Sequence, residues 1–259
     1  MKKNINDIKA MKQRGEKIVM ITAYDYAIAR IASKTDIDMI LVGDSLGMVV
    51  LGYENTLPVT MADMFRHTGA VVRSRPECLI VGDMPYQSYE NKEQAVKNAK
   101  LFIEEAGADA VKIEGNKPDI IQAILQEGIP VMGHTGLTPQ TVTDFKVQGK
   151  DKQSASRILK DAVELERAGC FSIILECVPR DLAKQITAEL AIPTIGIGAG
   201  PDCDGQVLIS NDVLGLFEKF TPRFVKQYAN LSAEIECAFV QYKDEVKKGI
   251  FPSDKHSYH

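Results

Sequence analysis

The feature that most constrains how this chain can fold is a series of eight short apolar segments with helix-like segments between them. The apolar segments are rich in Val and Ile, and most are continuous apolar runs, as expected for parallel strands buried on both faces. Strands that alternate with helices, without a linker or a break in composition, predict one (β/α)8 TIM barrel, with a doubly wound open sheet as the alternative. The predicted strands are residues 17–23, 38–43, 78–83, 109–115, 129–134, 171–176, 192–198 and 205–210.

Capping residues and helical spacing of apolar residues predict the helices between these strands. Asn91 is placed as the N-cap of one helix, and Thr60 with Asp63 has the pattern of a capping box. Thr138-Pro139 has the pattern of a cap followed by a first-turn proline. We expect one barrel domain over residues 1–259. Two more amphipathic helices are predicted at 154–169 and 179–190, and an extension of one or two helices with a tail at 224–259.

Composition excludes several classes of function. A net charge of −4 without a run of Lys and Arg argues against a nucleic-acid partner. The five cysteines form no CxxC pair, which predicts reduced thiols in a reducing compartment. The N-terminal residues lack the apolar core of a secretory signal, and no segment approaches the ~20 apolar residues of a membrane span. We therefore expect a cytoplasmic protein without a membrane partner.

Polar side chains stand at or near the ends of the predicted strands, where the active sites of such barrels lie. A single Asp in such a place is commonly a turn residue or a helix cap. Several acids that converge with one lysine would raise carboxyl pKa values or cost stability, and a divalent cation resolves that conflict. All-oxygen ligands favour a hard ion such as Mg²⁺. The polar residues concerned are Asp25, Asp44, Ser45, Asp83, Lys112, Glu114, His134 and Glu176.

Three of these residues allow more than one interpretation. Lys112 and Glu114 are two residues apart on a predicted strand, so they form either a buried structural ion pair or part of a site. Glu176 ends an apolar strand, where burial would tune its pKa for proton transfer, or it caps the next helix. His134 is interpreted as a hydrogen-bonded core histidine, with a ligand or an acid as the alternatives.

The segments taken together resemble the ketopantoate hydroxymethyltransferase (3-methyl-2-oxobutanoate hydroxymethyltransferase) family. The resemblance runs through nearly the whole chain in the family's order. The most specific segments are GDSLGMV, GHTGLTPQ and the IGIGAG motif followed by DGQ. Further matching segments are ITAYDY, VGDMP, AVKIEG, KVQGK, ILECVPRDLAKQIT and the ending FPSDKHSYH.

This resemblance implies a Mg²⁺-dependent barrel that assembles as a homodecamer and supplies the first committed step of pantothenate synthesis. The implied reaction transfers a one-carbon unit from 5,10-methylenetetrahydrofolate to 3-methyl-2-oxobutanoate and yields 2-dehydropantoate. By motif, the resemblance assigns the metal to Asp44, Asp83 and Glu114, the oxo acid to Asp44, Ser45, Asp83 and Lys112, and the general base to Glu176.

One segment departs from the family pattern. Between GLTPQ and KVQGK the chain has only TVTDF, residues 141–145, where the family usually carries extra residues. Two other functions remain open. One is a different Mg²⁺-dependent enzyme that forms an enolate from a 2-oxo acid, such as a lyase or mutase of the phosphoenolpyruvate type. The other is a non-catalytic barrel that only binds a metabolite.

Overall fold

A closed barrel of eight parallel strands surrounded by helices forms the larger part of the molecule. The computed structural model describes residues 2–74, 76–141 and 146–259. The strands pair in chain order, and β8 returns to β1, which confirms the predicted (β/α)8 barrel rather than an open sheet. The strands are β1 Ile18–Thr22, β2 Met39–Val42, β3 Leu79–Asp83, β4 Ala110–Lys112, β5 Val131–Gly136, β6 Ser172–Glu176, β7 Thr194–Ile197 and β8 Gly205–Leu208.

The chain divides into two compact units, Met1–Ile209 and Ser210–His259. The expected single domain, with an extension from residue 224, stays a prediction. No helix in the described part of the chain is long and apolar enough to cross a membrane. The helices are α1 Ile5–Arg14, α2 Tyr26–Ala32, α3 Leu46–Val49, α4 Met61–Arg73, α5 Lys92–Lys100, α6 Pro118–Gln126, α7 Lys152–Ala168, α8 Arg180–Glu189, α9 Ser210–Val213 and α10 Leu231–Lys247, and a 3-10 turn spans Asp254–His256.

Local capping chemistry sets the starts of several helices. Thr60 and Asp63 form the predicted capping box at the start of α4, and the Asn91 side chain accepts from Gln94 N at the start of α5. α5 passes into a π-helical turn at Leu101–Glu105, which apolar spacing alone did not reveal.

Alternate residues of each strand face opposite sides of the barrel wall. Met39 and Leu41 of β2 belong to a cluster inside the barrel, which Ile8 of α1 also joins. Ile40 and Val42 instead pack in the larger cluster that includes residues of the surrounding helices. By the same alternation, the last residues of β3, β4 and β6 project to the inside of the barrel at its carboxyl end.

The barrel closes where β8 pairs with β1, with Gly205 opposite Ile18. A Cβ atom at Gly205 would lie 2.5 Å from the Ile18 carbonyl oxygen and 2.7 Å from Ile195 Cδ1. A residue without a side chain is therefore needed at this position, because any larger one would force β8 away from its neighbours.

Two local predictions differ from the structure. The strand predicted at 109–115 is shorter, since β4 ends at Lys112 and Glu114 lies beyond it. Thr138-Pro139 opens a turn in which Thr141 N donates to Thr138 O at 2.9 Å, and no helix begins there in the residues described up to 141. Most of the TVTDF segment, residues 142–145, lies outside the described residues.

Candidate active site

A buried ion pair between neighbouring strands is the centre of the candidate site. Asp83 ends β3 and Lys112 ends β4, and the two are register partners. Lys112 Nζ donates to Asp83 Oδ1 at 2.6 Å, and both side chains are almost fully buried. Parallel pairing of the two strands therefore brings together residues that are far apart in the sequence.

Asp44 lies beside this pair, two residues after β2 ends. Its backbone N donates to Asp83 Oδ2 at 3.2 Å. Its Oδ2 accepts from Gln140 Nε2 at 2.8 Å. Ser45 follows directly, and its Oγ lies 2.8 Å from the Tyr24 hydroxyl. Ser45 is half-buried, whereas Asp44 is buried, so the hydroxyl is the more accessible of the two polar groups.

His134 of β5 lies between two glutamates. Its Nδ1 is 3.5 Å from Glu114 Oε2, and its Nε2 is 3.3 Å from Glu176 Oε2. Neither ring nitrogen has a hydrogen-bond partner of good geometry among the described residues. His134 is buried, as predicted for a core histidine, but the hydrogen bonds that this interpretation expects are not formed with the described residues. Glu176 ends β6 with one fifth of its side chain exposed, whereas Glu114 is buried.

Burial and crowding shift the pKa values of these groups. Burial raises the pKa of Glu114 to about 9, against the attraction of Lys112. Burial also raises the pKa of Asp83, which Lys112 opposes and Asp44 increases. For Lys112, burial lowers the pKa, but attraction to the three carboxyl groups outweighs burial and the net shift is upward. The pKa of His134 is lowered by burial, so its imidazole is neutral at pH 7.

The carboxyl groups of these residues offer the oxygen ligands that a hard divalent cation prefers. In the described ranges, no group of three or more His, Cys, Asp or Glu side chains is arranged to hold a metal ion. Asp44 and Asp83 nonetheless lie next to each other and offer carboxyl oxygens as ligands. Lys112 is the cation beside these two acids and Glu114. Because Mg²⁺ typically takes one or two protein carboxylates, the pair of Asp44 and Asp83 fits it. The three-acid set that includes Glu114 stays a prediction.

Asp25, one of the polar residues predicted near strand ends, has only a local role, in agreement with the alternative that a single such Asp is a turn residue or a helix cap. The Asp25 side chain accepts from Ile28 N at 2.8 Å and caps α2. The other predicted residues lie around the carboxyl ends of β2 to β6. The metal, oxo-acid and general-base roles assigned to them stay predictions.

Sequence reasoning missed three residues that contact the site. Tyr24 meets Ser45, and Tyr89 and Gln140 meet each other at 2.5 Å. Tyr24 and Gln140 lie in the ITAYDY and GHTGLTPQ segments, which were singled out for resemblance and not for a role. Nothing in the local pattern around Tyr89 distinguishes it from a core aromatic residue.

Comparison with known proteins relates the chain to one family. The family model described as ketopantoate hydroxymethyltransferase matches residues 2–254. A 3-methyl-2-oxobutanoate hydroxymethyltransferase of Syntrophus aciditrophicus is 56% identical over 257 residues, covering 97% of this chain and 94% of the relative. The protein of the same name from Moorella thermoacetica is 55% identical, covering 97% of this chain and 96% of the relative.

Solved structures share the fold at low sequence identity. A 2,3-dimethylmalate lyase of the PEP mutase/isocitrate lyase superfamily has a TM-score of 0.64 at 16% identity, covering 100% of this chain and 92% of that one. A phosphonopyruvate hydrolase, solved in complex with oxalate and Mg²⁺, has a TM-score of 0.62 at 12% identity, with coverage of 98% and 93%. At these identities the likeness concerns the barrel fold alone.

Proposed function

The chain belongs to the ketopantoate hydroxymethyltransferase family and is a hydroxymethyltransferase, and we propose that it transfers a one-carbon unit from 5,10-methylenetetrahydrofolate to 3-methyl-2-oxobutanoate. Water is consumed and the products are 2-dehydropantoate and tetrahydrofolate. We place this reaction in the cytoplasm, in a homodecamer, at the first committed step of pantothenate synthesis. The observation that carries the proposal is the position of a partly exposed carboxylate, Glu176, on the same barrel rim as the Asp83–Lys112 pair.

The partial exposure of Glu176 supports its role as the general base. Its side chain is one-fifth exposed, so it can meet a substrate that enters from the carboxyl end of the barrel. The proton at C3 of the oxo acid lies next to a carbonyl group, and Glu176 would accept it as the enolate forms. The enolate carbon would then form a C–C bond to the folate methylene as one of its two C–N bonds breaks, and water would replace the remaining folate nitrogen, so that tetrahydrofolate leaves and the hydroxymethyl product forms.

Lys112 and Ser45 would bind and orient the oxo acid. Lys112 is a permanent cation within the barrel mouth, where it would attract the substrate carboxylate or the developing enolate oxygen. Ser45 is half-buried beside Asp44 and would donate to the substrate through its hydroxyl. Its contact with the Tyr24 hydroxyl at 2.8 Å holds Oγ in one direction.

A Mg²⁺ ion would be held by Asp44 and Asp83, with Glu114 as the third acid of the predicted set. When bound, Mg²⁺ supplies Lewis-acid polarisation of the ketone and acidifies the neighbouring C–H. The chain's own contribution is to keep these carboxyl groups in place: Asp83 through Lys112 and Asp44 N, and Asp44 through Gln140.

Replacement of Glu176 by Gln tests the proposal. With Mg²⁺ present and folate absent, exchange of the C3 proton of 3-methyl-2-oxobutanoate into D₂O should fall by at least about 100-fold, since a positioned base contributes typically 10²–10⁴-fold. Glu189→Gln, on the exposed side of α8, is the matched control and should exchange at the wild-type rate. Unchanged exchange in Glu176→Gln would remove this residue from the role.

Folate dependence separates the proposed transfer from the other enolate chemistry. A lyase or mutase of the phosphoenolpyruvate type forms an enolate without folate, so it would make product without methylenetetrahydrofolate. The proposed enzyme should make 2-dehydropantoate only when both substrates are supplied. Metal-independent binding of the oxo acid, with no proton exchange, would favour a barrel that only binds a metabolite.

A further inference from the structure

Gln140 is a buried amide that joins several parts of the site, although no motif assigns it a role. Its backbone N donates to Glu114 Oε1 at 2.7 Å. Its side-chain Nε2 donates to Asp44 Oδ2 at 2.8 Å and to the Met84 carbonyl oxygen at 3.1 Å. Its Oε1 accepts from the Tyr89 hydroxyl at 2.5 Å. Every polar group of this side chain is therefore engaged.

The partners fix which way the amide points. The Met84 carbonyl and the Asp44 carboxylate can only accept hydrogen bonds, so they require the NH₂ end of Gln140. Tyr89 supplies a hydroxyl proton to the other end. A flipped amide would place its oxygen against two acceptors in a buried place, which costs about 1–3 kcal/mol for each unsatisfied group. The orientation is therefore set by three residues around it.

Gln140 leaves one oxygen of Asp44 available. Asp44 Oδ2 is occupied by the amide, and Oδ1 makes no hydrogen bond to any residue that the structure describes. Glu114 is held by the backbone instead, since its Oε1 accepts from Gln140 N and its Oε2 lies toward His134. One residue thus holds two acids that reach the barrel mouth from different strands.

We propose that Gln140 is a positioning residue whose side-chain amide orients the Asp44 carboxyl group toward a divalent cation, with Tyr89 fixing the amide. This inference rests on the proposed function, since it concerns the Mg²⁺ site of that reaction. The physical reason is preorganisation: a carboxylate already held in one rotamer loses less freedom when the ion binds. Loss of such a supporting partner typically weakens metal affinity by 10–100-fold.

The test measures metal affinity directly and not through turnover. Mn²⁺ replaces Mg²⁺ as the probe, and free Mn²⁺ is followed by electron paramagnetic resonance during titration of the metal-free full-length protein. Gln140→Ala should bind Mn²⁺ about 10–100-fold more weakly than the wild type. Tyr89→Phe keeps the ring but loses the hydroxyl that holds the amide, so its Mn²⁺ affinity should also fall, by a smaller factor.

Gln122→Ala is the matched control, because Gln122 is exposed on α6. It should bind Mn²⁺ as the wild type does. Circular dichroism and thermal melting establish that each variant is folded, so that a general loss of structure is not read as a loss of metal. If Gln140→Ala does not fold, Tyr89→Phe decides the question.

The outcomes separate this inference from the function on which it rests. If the wild type binds Mn²⁺ and exchanges the C3 proton, but folded Gln140→Ala binds Mn²⁺ within twofold of the wild type, the role of Gln140 is overturned and the function stands. Unchanged affinity in Tyr89→Phe overturns the role of Tyr89 in fixing the amide, and overturns the whole proposal if Gln140→Ala is unfolded. A wild type that does not bind Mn²⁺ overturns both the proposed metal site and this inference.

Discussion

Replacing Lys112 by Met should destabilise the protein strongly, because it leaves buried acids without their cation. The Lys112 and Asp83 side chains are only 4% and 2% exposed and their charged atoms are 2.6 Å apart. Removal of one partner of such a pair costs roughly 3–5 kcal/mol, since the remaining charge has neither water nor a counter-ion. The Met side chain has a similar length and adds no polar group, so the loss of stability measures the effect of removing the charge.

Asp83→Asn provides the complementary change. It removes the acid but leaves Lys112 attracted to Asp44 and Glu114, so its loss of stability should be smaller. The double variant with Lys112→Met lacks both members of the pair, so no buried Asp83 charge is left without its cation. The double variant should therefore be more stable than Lys112→Met alone, with a coupling free energy within the roughly 0.5–3 kcal/mol typical of contacting residues.

The pH dependence of the loss has a definite sign. Without Lys112, the opposing influence on Asp83 disappears and its folded-state pKa rises further above the unfolded value. An acid whose pKa is raised in the folded state stabilises the fold at low pH and loses that contribution as pH rises through the folded pKa. The deficit of Lys112→Met should therefore be smaller at pH 5.5 than at pH 8.

Guanidinium chloride unfolding in EDTA measures this deficit. Circular dichroism and tyrosine fluorescence serve as two probes, because the chain has 8 Tyr and no Trp. Coincident transitions are required before free energies are compared. A stability deficit of less than about 1 kcal/mol at pH 8, or one that grows toward pH 5.5, would refute the argument that Lys112→Met leaves a buried charge without its partner.

Two further predictions concern the site and its support. Burial raises the pKa of Glu114 to about 9, so if Glu114 binds Mg²⁺ as proposed, the ion would displace a proton there and its apparent affinity should rise between pH 7 and pH 9. Calorimetry in buffers of different ionisation enthalpy should detect the released proton, and a pH-independent affinity would contradict this prediction. Gly82→Ala would place a Cβ atom 2.4 Å from Phe102 Cδ1 and should cost about 1–3 kcal/mol in the same unfolding assay. Adding Phe102→Leu should recover part of that loss, and no recovery would show that the clash is elsewhere.

Much of the fold follows from patterns that extend over only a few residues. The buried apolar runs specify strands because both faces of a parallel strand are covered, and capping residues such as Thr60 and Asn91 satisfy backbone groups of the next helix. The alternation of strand and helix then leaves few topologies. The boundaries were less predictable, as the short β4 and the π-helical turn after α5 show.

The candidate site could be predicted only in part. Asp44, Asp83 and Lys112 are visible in the sequence because a charged residue at the end of an apolar strand is unusual. Asp25 has the same sequence appearance but caps α2, and only its contact with Ile28 N distinguishes it from the others. A strand-end acid therefore identifies a candidate, and its neighbours in space decide what it contacts.

The sequence by itself determined that buried strands alternate with helices, since burial acts through local periodicity, and it favoured a barrel. The pairing of β8 with β1 decided for the barrel against an open sheet. The sequence also determined which polar residues lie at the carboxyl ends of the strands. Only the tertiary structure decided that Asp83 meets Lys112, that His134 lies between Glu114 and Glu176, and that Gln140 joins Asp44 to Glu114. These contacts arise from the register of a closed sheet and from a turn that folds over its mouth, and neither leaves a periodic signal in the chain.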